Sequence, residues 1–158
     1  MTRRVIDHRC RHGYNAVMKP PKGITDERKW IRHCCQIHAR AKELREGKIS
    51  LAEASVALGP LASWTRAESE RDFDLFRRLR DELIELPVGR ERKHWSADAL
   101  AREDIKLHAI EDKWRSKAMK AAANLEAKYA WSLAALAALR KQARKEQEKR
   151  GPGVRSSD

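Results

Sequence analysis

Apolar residues recur along most of the chain at spacings of three and four, the rhythm of helices that each bury one face. Trp30, Cys34, Ile37, Ala41 and Leu44 form the first such stripe. It predicts a helix that Thr25 caps, with Asp26 and Glu27 in the first turn, running to about Glu46 with Gly47 as the residue beyond its end. Ser50 and Glu53 have capping-box spacing, in which each side chain accepts from the other's backbone amide, so a short helix is expected from there to Leu58, stopped by Gly59-Pro60. A third pattern covers roughly 67–84, with Phe73, Phe76, Leu79 and Leu83 on one side and Arg77, Arg78, Arg80 and Asp81 on the other. Leu86-Pro87-Val88-Gly89 breaks it, and Ser96 is the cap of the last helix, with Asp98 in its first turn.

That last helix is unusually long, because no Gly or Pro occurs between Arg90 and Arg150. Unbroken to that point it would extend about 80 Å, against a radius of gyration of about 13 to 14 Å for a compact domain of this size. A bend or short turn is therefore expected between Asn124 and Ser132. Leu100, Leu107, Ile110, Trp114, Ala118, Ala121 and Leu125 make the packed stripe of the first half. Beyond it, Tyr129 to Leu139 holds no charge for eleven residues. The stretch is too short for a membrane span and too apolar to stand alone in water, so it needs a partner within the chain or outside it. The expected fold is all-α: a small helical bundle with a long C-terminal helix and basic N- and C-terminal arms, divided as an arm over 1–23, a helical domain over 24–139 and a tail over 140–158.

Composition supports one globular domain, since 158 residues with 41% apolar and 37% charged side chains can bury a core under a well-solvated surface. The first residues, MTRRVIDHRCRHGYN, lack the apolar region of a secretory signal, and no apolar run reaches the length of a span. Three cysteines, two of them adjacent as Cys34 and Cys35, do not make a disulfide framework. A cytoplasmic protein with reduced thiols is the expectation.

The net charge of +12 points to polyanions, because Lys and Arg gain binding free energy by releasing counterions from phosphates. Residues 1–23 carry six basic residues against Asp7, and 140–158 carry seven against three acids, leaving 24–139 only slightly basic. The candidate nucleic-acid contacts in the two ends are Arg3, Arg4, Arg9, Arg11, Lys19 and Lys22, and Arg140, Lys141, Arg144 and Lys145. Arg66 and Arg71 join them through GKISLAEASVALGPLASWTR, which reads as helix, turn and second helix, with Trp64, Thr65, Arg66 and Arg71 facing a major groove. Thr65 stands where such motifs want an apolar β-branched residue and Pro60 tightens the turn, so an ordinary helical hairpin is the simpler account.

Two further constellations have residue types that could carry chemistry. Cys34 and His38 sit at i, i+4, so both can face one metal if the arm folds back to supply Cys10 and His12, although a core cysteine with solvated histidines is the simpler account. Asp104, His108, Glu111 and Arg115 share one face of the long helix, where Glu82 and Glu85 are the donors available from another element. Acid-base work there competes with a plain polar shoulder carrying a Glu111 to Arg115 pair. No phosphate loop, nucleophile elbow or HExxH pattern is present. No enzyme activity, cofactor or metal is expected.

Leu86, Pro87, Gly89, Arg92, Trp95, Leu100, Asp104, Glu111 and Arg115 resemble the pattern of an uncharacterised group of small bacterial helical proteins. The likeness covers about a quarter of the chain and implies a helical fold without a function. The basic arms and YAWSLAALAAL depart from that pattern. The expected function is a non-enzymatic binding protein that engages nucleic acid or a nucleoprotein complex through its arms. The alternative is a protein inhibitor, immunity or regulatory subunit docking through 129–139, with Tyr129, Trp131, Leu133 and Leu136 as contacts.

Overall fold

A computed structural model describes residues 18–150. Its elements are α1 (Glu27–Arg45), α2 (Leu51–Thr65), α3 (Arg71–Glu82), a 3-10 turn (Gly89–His94), α4 (Ala97–Tyr129) and α5 (Trp131–Arg150). The described residues contain no strand, so the chain is an all-α bundle with a long, bent C-terminal helix.

Asp26, not Thr25, caps α1: its carboxylate accepts from the Lys29 amide at 2.9 Å. The anticipated stripe of Trp30, Cys34, Ile37, Ala41 and Leu44 is buried, together with Ile31. α1 ends in a Schellman turn, with Gly47 N–H donating to Leu44 and Lys48 N–H to Glu43. Gly47 has φ +70°, which glycine adopts without a Cβ penalty.

The capping box of Ser50 and Glu53 is present as expected, but α2 does not stop at Gly59-Pro60. It runs on to Thr65 because Leu58, Leu61, Ala62 and Thr65 continue one buried face across the proline. Pro60 leaves the Val56 carbonyl without its helical donor; Pro60 is exposed and Val56 is 48% exposed, so this loss falls on the solvent side of the helix. The turn that a helix-turn-helix needs is absent, and Thr65 is buried with its hydroxyl donating back to Leu61 at 2.7 Å.

α3 seats Phe73, Phe76 and Leu79 between α2 and α4. Ser96 caps α4 as read from the sequence, its hydroxyl accepting from Ala99. The α4 stripe is buried at Ala118, Ala121 and Leu125 and half-buried from Leu100 to Trp114.

The expected bend falls at Ala130. There the Ala130 N–H shifts to Ala127 at 3.4 Å, leaving the Glu126 carbonyl without its usual i+4 donor, and His38 Nδ1–H supplies one at 2.9 Å. The Tyr129 carbonyl is likewise served by the Ser132 hydroxyl at 2.7 Å, and the Cys35 thiol donates to the Ser132 carbonyl. α1 therefore braces the bend directly, running antiparallel past it. No helix among the described residues is long and apolar enough to cross a membrane.

Candidate nucleic-acid interface

The apolar segment after Ala130 finds its partner inside the chain. Trp131 is buried and packs on Trp30, with ring centroids 5.4 Å apart, while buried Tyr129 meets Phe73 edge-on at 6.2 Å. Neither residue is a surface anchor, which corrects the reading of both as docking contacts. Leu136 is half-buried against the same core, and Leu133 alone of the four is exposed.

Packing the first half of α5 against α1 brings the helices' charges together. α1 and α5 hold twelve Lys or Arg against four acids, whereas α2, α3 and α4 hold eleven of each. In the second half of α1 the cations are engaged: Arg40 with Glu43, Lys42 with Glu46 and Arg45 with Glu126. In the first half, no described carboxylate pairs with Arg28, Lys29 or Arg32.

Arg28, Arg32 and Arg140 instead rim one groove of about 230 Å³, floored by Leu136, Leu139 and Ala143. Arg28 and Arg32 are one helical turn apart and so share a face. Further along α5, Lys141, Arg144 and Lys145 are exposed, and among the described residues only Arg144 of the three is paired, to Glu148 at 3.5 Å.

The other predicted cations are dispersed. Lys19 and Lys22 are exposed in the segment entering α1. Arg66 sits at the C-terminal turn of α2 with its guanidinium against Gly23, where an added Cβ would stand 3.2 Å from Nη2. Arg71 lies apart, in a groove between α3 and α4 with Lys117 and Lys120. Arg3, Arg4, Arg9 and Arg11 fall outside the described residues.

The chain matches no family model, no curated protein and no solved structure.

The two chemical constellations resolve into structural contacts. Arg92 holds Asp104 with two hydrogen bonds of 2.6 and 2.9 Å and reaches the Pro87 carbonyl, so the turn before α4 is strapped to that helix. The Arg92 guanidinium keeps the Asp104 carboxyl below the usual carboxylate range. Buried Glu111 accepts from the Ala52 amide at 3.1 Å, supplying an acceptor to the first turn of α2. Arg115 pairs with Asp112 rather than with Glu111, Glu82 is taken by Lys113, and Glu85 is exposed. Cys34 is fully buried, and that burial pushes its thiol up to about 12. His38 is committed to the bend, and Cys10 and His12 lie outside the described residues. Among those residues no three His, Cys, Asp or Glu gather as a metal site would require.

Arg28 and Arg32 were missed because the stretch 24–139 is nearly balanced when summed. Their i, i+4 spacing just off the core stripe was the signal available in the sequence.

Proposed function

We propose that the protein is a non-enzymatic nucleic-acid-binding module whose contact surface is the cationic face shared by the first half of α1 and the second half of α5. The observation that carries this reading is the convergence of Arg28, Arg32 and Arg140 on one groove without a described carboxylate to neutralise them. Like charges held together by folding cost stability unless an anion compensates them, and a phosphate backbone supplies such compensation along a line. Guanidinium groups suit the task because each can donate two parallel hydrogen bonds to phosphate oxygens. The exposed cations of α5 lengthen the surface, so several phosphates can be met together.

The test is the salt dependence of affinity for a labelled oligonucleotide. Binding should weaken linearly in log Kd against log salt. Replacing Arg28, Arg32 and Arg140 together with Gln should lower the slope by about 0.9 per lost contact on duplex DNA, or about 0.7 on a single strand. Absence of binding at low salt, or a triple variant with an unchanged slope, would falsify the reading.

A protein partner on α5 is the second reading, and it is favoured by Leu133, 50% exposed beside exposed Ala134, Ala137 and Ala138. Leu133→Asp should abolish such docking without altering the salt slope for nucleic acid. Equal capture by that variant and the wild type would remove this alternative.

A further inference from the structure

Beside the cationic groove, a neighbouring flank of α1 carries a second feature that bears on which form of polyanion the surface suits. Lys29 and His33 follow Arg28 and Arg32 by one position each, which turns them onto the neighbouring side of the same two turns. There a pocket of about 300 Å³ is lined by the Gly23 to Asp26 turn, Lys29, Trp30, His33 and Trp64. That volume is at the lower end of the range for small-molecule sites.

Trp64 is the unusual member. It is 55% exposed although it lies in the last turn of a helix whose neighbours Leu61, Ala62 and Thr65 are buried. The His33 ring packs against it, tilted by 35° with centroids 4.8 Å apart, and the exposure of Trp64 leaves ring surface for another planar group. Cations stand around it: Lys29 on the pocket wall and Arg66 against Gly23. The one carboxylate on the wall, Asp26, is engaged in accepting from the Lys29 amide at the start of α1.

Arg66 adds an independent sign. It occupies the left-handed region at φ 56° in a Schellman turn, where Ala67 N–H donates to Ala62 and Arg66 N–H to Ser63. Glycine relieves such a position, yet an arginine stands there with its guanidinium against Gly23, a residue of the pocket wall. Strain of this kind accumulates where a side chain has a use.

We infer that this pocket is a base-stacking site, so that the ligand class is single-stranded nucleic acid: its phosphates run over the α1/α5 face while an unpaired base stacks on Trp64. The inference rests on the proposed function. A duplex keeps its bases stacked on one another and offers none to an exposed indole, whereas a single strand offers each in turn.

The experiment compares oligo(dT) of about 20 nucleotides with a duplex of the same length by fluorescence anisotropy, using the full chain, Trp64→Ala and Trp64→Phe. The wild type should prefer the single strand. Trp64→Ala should weaken single-strand binding by about 5- to 100-fold with its salt slope unchanged and leave duplex binding as it was, while Trp64→Phe should retain most of the affinity. Circular dichroism checks that the exposed substitution leaves the helices in place. Single-strand binding by Trp64→Ala equal to wild type, or a wild type that favours duplex, overturns the stacking site while leaving the cationic surface standing. Failure of the wild type to bind either probe overturns both.

Discussion

The α1/α5 face and the body formed by α2, α3 and α4 are built from the same helix formers, but they carry charge in different proportions. In the body, acids equal cations in number and six of the eleven cations are paired, among them Arg77 with Asp74 and Asp81, Lys113 with Glu82 and Lys128 with Glu70, while Arg92 of the turn before α4 straps Asp104. On the α1/α5 face the apolar contacts resemble those of the body, yet the cations at its rim have no described counter-charge. On the proposed function, stability and recognition on these two surfaces rest on different side chains, so altering the core and altering the rim should have separable effects.

The sharpest separation comes from the core. Leu79 is fully buried between α2 and α4, and Leu79→Ala should lower unfolding free energy by about 2 to 5 kcal/mol in urea melts. Neutralising Arg28, Arg32 and Arg140 should change it by less than about 1 kcal/mol, as expected for exposed charges. A large loss in the arginine variant would show that the face is structural and break the contrast.

Next is Glu111, the carboxylate that the body spends on a helix start. Glu111→Ala leaves the buried Ala52 N–H without its side-chain acceptor and should cost about 1 to 3 kcal/mol. Hydrogen exchange at the first turn of α2 should quicken along with it; a variant as stable as wild type would mean that water serves this amide.

Arg66→Gly should have a smaller effect of opposite sign. Removing the left-handed arginine should stabilise the fold by up to about 1 kcal/mol in thermal or urea melts while weakening oligonucleotide binding. A variant gaining in both respects would separate the strain at this turn from recognition.

The last test uses pH. Arg92, Arg77 and Lys113 hold the carboxyls of Asp104, Asp74 and Glu82 below the usual carboxylate range. The folded chain therefore binds fewer protons than the unfolded chain in the acid range. The stabilisation is complete above the unfolded values near pH 4 and is lost as pH falls through the lower folded ones. Melting temperature should drop below about pH 4, and Asp104→Asn should flatten part of that drop.

Much of the helical layout was legible because its signals are local. Ser50 with Glu53 and Ser96 mark starts that the structure keeps, and the bend was bracketed by chain length alone before Ala130 located it. What escaped was decided by distant residues. Gly59-Pro60 reads as a stop until Leu61, Ala62 and Thr65 find a core to enter. Trp131 reads as an anchor for another molecule until Trp30, far away in sequence, packs against it. The cationic face was half legible: Arg140 to Lys145 form a visible run, but Arg28 and Arg32 join them only when α1 folds antiparallel against α5. The Trp64 pocket has no sequence signature, since it depends on a glycine turn, one helix start and another helix end meeting.

From Arg140 onward α5 touches little of the body, and its direction is set upstream, where His38 and Cys35 of α1 grip the bend. This gives the molecule a detachable reach. Every described side chain beyond Arg140 is exposed, so whole turns there can be added, removed or recharged on a scaffold that need not change.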